Sequence, residues 1–124
     1  MTGWSGFPLL ELQYPPLMDT ADLMLALREF RERRDWAQFH AEGNLAKSIV
    51  IEAGELLECF QWTEESFDVD RVQEELADVL TYSFYLADRL DLDPGRLILE
   101  KLALTERKYP ADKARGRAAK YDQL

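Results

Sequence analysis

The sequence predicts an all-α chain folded as one four-helix bundle-like domain. Three observations carry that expectation. Apolar residues recur at helical spacing through most of the chain. No stretch alternates apolar and polar residues as a half-buried strand would. Helix-start and helix-stop residues cut the chain into four segments of helical length. Residues 1–18 hold Pro8, Pro15 and Pro16 and read as an irregular lead-in, which leaves a domain at 19–124 with a C-terminal tail. Asp19-Thr20 opens the first helix, and Leu23, Ala26, Leu27, Phe30 and Ala37 carry it to about Arg34 or Phe39. Gly43-Asn44 breaks it, and Asn44 is a good N-cap for a second helix from Leu45 to Trp62. Ser66-Phe67-Asp68 reads as a turn before a third helix from about Val69 to Leu90. Asp93 then caps a fourth helix with Pro94 at its first position, and Pro110 stops that helix just beyond Lys108. The tail from Ala111 onward is rich in Ala, Lys and Arg.

A chain of 124 residues is one domain by length and should bury roughly two thirds of its unfolded surface. Its net charge is −9, from 24 acids against 15 bases. That balance argues against a nucleic-acid partner, because phosphate contact wants a basic face. It also disfavours an anionic substrate unless a metal ion bridges the two negative partners. The single cysteine, Cys59, excludes an internal disulfide framework and fits a reducing compartment. The first residues lack the basic and apolar regions of a signal peptide. No uncharged apolar run approaches the ~20 residues that a membrane helix needs. A cytoplasmic protein with no membrane partner is expected.

The most informative feature is a repeated acidic pair. Glu52-x-x-Glu55 lies on the second helix and Glu75-x-x-Asp78 on the third. Residues three apart share one side of a helix. Two helices packed antiparallel, with axes roughly 8–10 Å apart, can therefore aim all four carboxylates at one point. Four such charges repel, and a hard divalent cation such as Mg²⁺ relieves that by taking carboxylate oxygens together with substrate phosphates. Taken singly, Glu-x-x-Glu is common on helices because Glu is a good helix former. These pairs differ from a solvated face in their flanks. Glu52 and Glu55 run between the apolar arc Leu45, Ile49, Val50, Ala53, Leu56, Leu57, Phe60 and the outlying Ile51 and Trp62. On the third helix the core arc is Val72, Leu76, Val79, Leu80, Leu86 and Ala87, and Glu75, Asp78 and Tyr82 form the stripe beside it, with Tyr85 next to it. Glu58 and Glu74 point to more exposed sectors and read as ordinary surface acids.

Beyond the acids, the chain carries Arg33-Arg34-Asp35-Trp36-Ala37-Gln38-Phe39-His40, Asn44-Leu45, Gly54-Glu55-Leu56 and Phe60-Gln61-Trp62. It continues with Glu74-Glu75-Leu76-Ala77-Asp78-Val79-Leu80-Thr81-Tyr82, Lys101, Arg107-Lys108-Tyr109-Pro110, Ala114-Arg115 and Lys120-Tyr121. On these residues, 35–124 resembles the all-α nucleoside triphosphate pyrophosphohydrolases of the MazG-like superfamily, most of all their dCTP pyrophosphatase branch. The resemblance implies cleavage of a nucleoside triphosphate between its α and β phosphates, giving monophosphate and pyrophosphate. It implies that Glu52, Glu55, Glu75 and Asp78 bind Mg²⁺, with Mn²⁺ as a possible substitute. A water attacking phosphorus needs a carboxylate to take its proton, and Glu52 or Glu55 is the candidate.

The resemblance also implies nucleoside contact by Trp36, Phe39, His40 and Trp62, with Tyr82 near the sugar. Lys101 and Lys108 are candidates for neutralising phosphates, against the plain alternative of cations near a helix C-terminus. It further implies a homo-oligomer, dimer or tetramer, with the site near the subunit interface. The chain departs from the pattern at Thr105, where many members carry Asn, and at Leu27, where dCTP enzymes tend to carry His. Both departures leave the preferred base open. The expected function is thus a Mg²⁺-dependent pyrophosphohydrolase of dCTP or a modified dCTP. The alternatives are a pyrophosphohydrolase of another non-canonical nucleotide and a non-catalytic helical interaction module.

Overall fold

The computed structural model describes residues 18–63 and 65–124. The expected lead-in lies outside the described residues except for Met18. Helix α1 spans Thr20–Arg33, α2 Glu42–Glu58, α3 Val69–Arg89 and α4 Pro94–Lys108. A single 3₁₀ turn, Ala37–Phe39, separates α1 from α2, and a short α5, Ala111–Ala114, follows α4. Among the described residues there is no strand. The chain divides into two compact units between Asp91 and Leu92, so α4 and the tail form a unit apart from the first three helices.

Two of the helix starts follow the expected chemistry, and Asp68, read from the sequence only as part of a turn, caps a third. The Asp19 side chain accepts the amide of Asp22 at 2.8 Å. Asp68 accepts those of Asp70 at 3.0 Å and Arg71 at 3.4 Å. Asp93 accepts that of Arg96 at 2.8 Å, with Pro94 following the cap. Each bond satisfies an amide that the first helical turn leaves without a partner.

The second helix corrects the sequence reading. It starts at Glu42, three residues early, and its N-cap is Ala41, which offers no side-chain acceptor. Asn44 lies inside the first turn, and its amide donates to the Phe39 carbonyl at 3.4 Å. The chain has already turned before Gly43-Asn44: Asp35 takes a left-handed φ of 52°, and the Ala37–Phe39 turn completes the reversal. The same helix ends at Glu58 instead of Trp62. The amides of Cys59, Phe60 and Gln61 each reach back only three residues, a tightened exit from the helix.

Two surface ion pairs fix the relative direction of α2 and α3. Arg89 meets Glu42 at 3.2 Å and Arg71 meets Glu58 at 3.5 Å, so the start of one helix lies beside the end of the other. Such exposed pairs stabilise little, about 0–1 kcal/mol each, but they establish an antiparallel pair. Helix α1 runs parallel to α3: Leu27 meets Tyr85, and Arg31, one turn on, meets Asp88. Among the described hydrophobic residues only Met24, Leu45, Tyr85 and Ala87 are buried. The apolar arcs expected as core are only partly covered, with Val50 70% and Leu57 71% exposed. Helical periodicity reports which side chains favour burial; this unit has too few helices to cover both flanks of α2.

The second unit has its own packing. The Tyr109 and Tyr121 rings meet edge to face at 6.2 Å, and the Lys108 ammonium lies 5.0 Å from the Tyr121 ring centre. These contacts fold the tail onto the end of α4.

Candidate active site

The antiparallel pairing of α2 and α3 sets their midpoints side by side, and the acids meet there. Glu52, Glu75 and Asp78 each place a carboxylate oxygen within 4.8 Å of the other two. Glu55, one turn along from Glu52, faces both Glu52 and Glu75 and interacts with each. Burial raises the Glu52 carboxyl to a pKa of about 7, with the hydrogen bond and charge of Glu55 and the charges of Asp78 and Glu75 adding to the effect. Glu75 is raised too, first by burial and then by Glu55. Oε2 of Glu52 and Oε2 of Glu75 are buried with no hydrogen-bond partner among the described residues. A buried acceptor left unmatched costs about 1–3 kcal/mol. Clustered carboxylates with two unmatched oxygens suit a hard divalent cation, which takes oxygen ligands and cancels the repulsion.

Beside the acids lies a cavity of about 380 Å³. Asp78, Thr81, Tyr82 and Tyr85 line it from α3, at spacings that put them on one helical face. Leu27 and Phe30 line it from α1, and Trp36 and His40 from the turn between α1 and α2. That turn is held by Gln38, whose amide donates to both the carbonyl and the carboxylate of Asp35 at 3.0 Å. Trp36 meets the Phe30 ring edge-on at 5.7 Å. The His40 ring lies 4.9 Å from that of Tyr85, and the Tyr85 hydroxyl donates to the Leu27 carbonyl at 2.8 Å. Burial, helped by the nearby Arg31 charge, lowers the pKa of His40 and so favours its neutral imidazole. The result is a largely aromatic chamber in the size range of small-ligand sites. Asp78 belongs to both the acid cluster and the chamber wall.

The structure gathers Glu52, Glu55, Glu75 and Asp78 at one place and puts Trp36, His40 and Tyr82 in the chamber wall. Phe39 is not part of that wall and is exposed, and Trp62, just past α2, is 88% exposed. Lys101 and Lys108 belong to the second unit, where both are exposed. The wall also uses Leu27, the position where dCTP enzymes tend to carry His, and Phe30, Thr81 and Tyr85, to which the sequence reading gave no ligand role. Tyr85 had a usable signal, since it follows Tyr82 by one turn; Phe30 and Thr81 carried none beyond helical spacing.

The model of the MazG-like family matches residues 47–124, which takes in all four acids. The chain belongs to the MazG-like family. This MazG-like chain is 37% identical over 120 residues to the human dCTP pyrophosphatase 1, covering 90% of this chain and 71% of that protein. The rat dCTP pyrophosphatase 1 is 36% identical over the same length, with the same coverage. Among solved structures, a pyrophosphatase from Archaeoglobus fulgidus is similar to it with a TM-score of 0.70 and 40% identity, over 78% of this chain and 97% of that one. The resemblance read from the motifs is thus met by relatives that extend across Trp36 and His40 as well as the acids. No helix of the described residues in this MazG-like chain is long and apolar enough to cross a membrane.

Proposed function

We propose that this MazG-like chain is a nucleoside triphosphate pyrophosphohydrolase that cleaves dCTP or a modified dCTP to the monophosphate and pyrophosphate. The observation that supports the reading is the sharing of Asp78 between the acid cluster and the aromatic chamber, which puts clustered carboxylates beside a nucleoside-sized cavity. The dCTP pyrophosphatases among its relatives support the choice of substrate.

In this reading Glu52, Glu75 and Asp78 hold Mg²⁺, or Mn²⁺ in its place, with Glu55 alongside. When bound, the cation supplies positive charge that neutralises the triphosphate and the charge growing on phosphate oxygens. Trp36, Tyr82 and the other rings of the chamber stack against the nucleoside, and neutral His40 offers one hydrogen-bond donor and one acceptor. Water adds its oxygen to phosphorus, the bridging bond between the α and β phosphates breaks, and pyrophosphate leaves. Glu55 interacts with the carboxylate group without belonging to its closest three, and we assign it the proton that the water gives up; Glu52 is the other candidate. The exposed Val50, Leu57 and Trp62 are assigned to contact with a second copy in a homo-oligomer, dimer or tetramer, and the enzyme to the cytoplasm.

The test is turnover of each common dNTP and NTP, and of base-modified dCTPs, with Mg²⁺, the products being resolved by anion exchange. Monophosphate and pyrophosphate, with dCTP or a modified dCTP leading, is the expected result. Diphosphate and phosphate would refute the reaction class. Preference for another base would move the assignment to a different non-canonical nucleotide, and no turnover with any substrate would favour a binding module.

A further inference from the structure

Asp88 lies on α3 one turn beyond Tyr85, outside both the acid cluster and the chamber wall. Its carboxylate is largely buried and takes three charged hydrogen bonds from α1. Nε and Nη2 of Arg28 donate to Oδ1 at 2.8 and 2.6 Å, and Nη1 of Arg31 donates to Oδ2 at 3.1 Å. Burial would raise the Asp88 carboxyl, but the two guanidinium groups outweigh it and hold the carboxyl below the ordinary range.

The arrangement of Arg31 is informative. Its side chain is 13% exposed, and it gives Asp88 a single hydrogen bond while its buried Nε has no hydrogen-bond partner among the described residues. An arginine placed for ion pairing alone would present its fork to the carboxylate and donate twice. Instead the guanidinium carbon lies 5.5 Å from the centre of the Tyr85 ring, and the His40 ring also lies against that ring. The Tyr85 ring thus has His40 and Arg31 as close neighbours, and its hydroxyl is tied to the Leu27 carbonyl.

We propose that Asp88 is a positioning residue, which sets the Tyr85–His40 wall of the chamber by holding Arg31 against Tyr85. The proposal rests on the reading of the chamber as the nucleoside site. Asp88 touches no substrate; it acts two side chains away. Without its carboxylate, Arg31 loses its anchor, the ring pair shifts, and substrate is held less well in ground and transition state alike.

The test uses the fact that His40 is the only histidine of the chain, so its imidazole signal in an NMR spectrum is unambiguous. Asp88→Asn is expected to shift that signal in protein free of nucleotide and metal. It is also expected to raise KM about tenfold while kcat stays within about twofold, the signature of lost uniform binding. Asp88→Glu, which keeps the charge, should recover much of both. Arg31→Lys keeps a cation for Asp88 but removes the planar group over Tyr85, and serves if Asp88→Asn does not fold; it should shift the same signal. A lowered melting temperature with the His40 signal and KM of the wild type would overturn the proposal and leave Asp88 as a structural clamp. Should the wild type turn over no nucleotide, the functional reading fails, and the His40 signal still decides whether Asp88 sets the wall.

Discussion

Glu52→Gln is expected to reduce turnover by about 10³-fold or more, the scale of losing a preorganised group that stabilises developing charge. The amide keeps the shape of the side chain but removes one negative charge from the cluster that is assigned to hold the cation. The same change should stabilise the metal-free protein by about 1–2 kcal/mol at pH 8. The raised Glu52 carboxyl means that ionising it in the folded state is unfavourable beside Glu55, Asp78 and Glu75. A neutral amide avoids that cost. Opposite signs for activity and stability separate this account from the alternative of surface acids on a helical module, for which the substitution should fall within about ±0.5 kcal/mol. Steady-state kinetics and urea unfolding in EDTA measure the two effects, and full turnover by the variant would remove Glu52 from the site.

The metal-free protein should also lose stability as pH rises from about 5 to 8. Glu52 and Glu75 hold protons more tightly folded than unfolded, so the native state binds more protons across this interval. Where the native state binds more protons, stability falls with rising pH. The contribution is intact below the ordinary carboxylate range and is lost as pH climbs through about 7, the Glu52 value. His40, Asp88 and Glu42 act in the other sense. The lowered imidazole of His40 makes stability rise with pH up to the ordinary histidine range and offsets part of the fall. The carboxyls of Asp88 and Glu42 are held low, and their contribution disappears only in more acidic solution. A thermal-melt series in EDTA should therefore fall by about 5 °C or more between pH 5 and pH 8, given the shift that one kcal/mol produces in a small domain. Millimolar Mg²⁺ should restore most of the loss, because a ligand that binds only the folded state stabilises it. Glu52→Gln should flatten the EDTA series. A wild-type series already flat in EDTA would contradict the clustering of the acids.

Much of this was legible in the sequence because the decisive signals are local. Caps at Asp19 and Asp93 mark helix starts through side chains that bond amides three residues on. The three-residue spacing within each acidic pair places both acids on one side of a helix, so a single antiparallel packing brings the pairs together. What was not legible depended on which elements meet. The start of α2 was misplaced because Asp35 adopts a left-handed backbone that no neighbouring glycine announces. Phe30 and Tyr85 become chamber walls only because α1 lies along α3, a contact between residues more than 50 positions apart. Val50 and Leu57 show the limit of periodicity: it marks them as apolar-face residues, and the fold leaves them exposed.

The measurement that bears most directly on the central claim, a divalent-cation site built from the paired acids beside the chamber, is Mn²⁺ binding followed by electron paramagnetic resonance. Wild-type protein is expected to bind Mn²⁺ in competition with Mg²⁺, and Glu75→Gln and Asp78→Asn should each weaken that binding by about tenfold or more. Both variants binding Mn²⁺ as the wild type does, or a wild type that leaves all the Mn²⁺ free, would contradict the account.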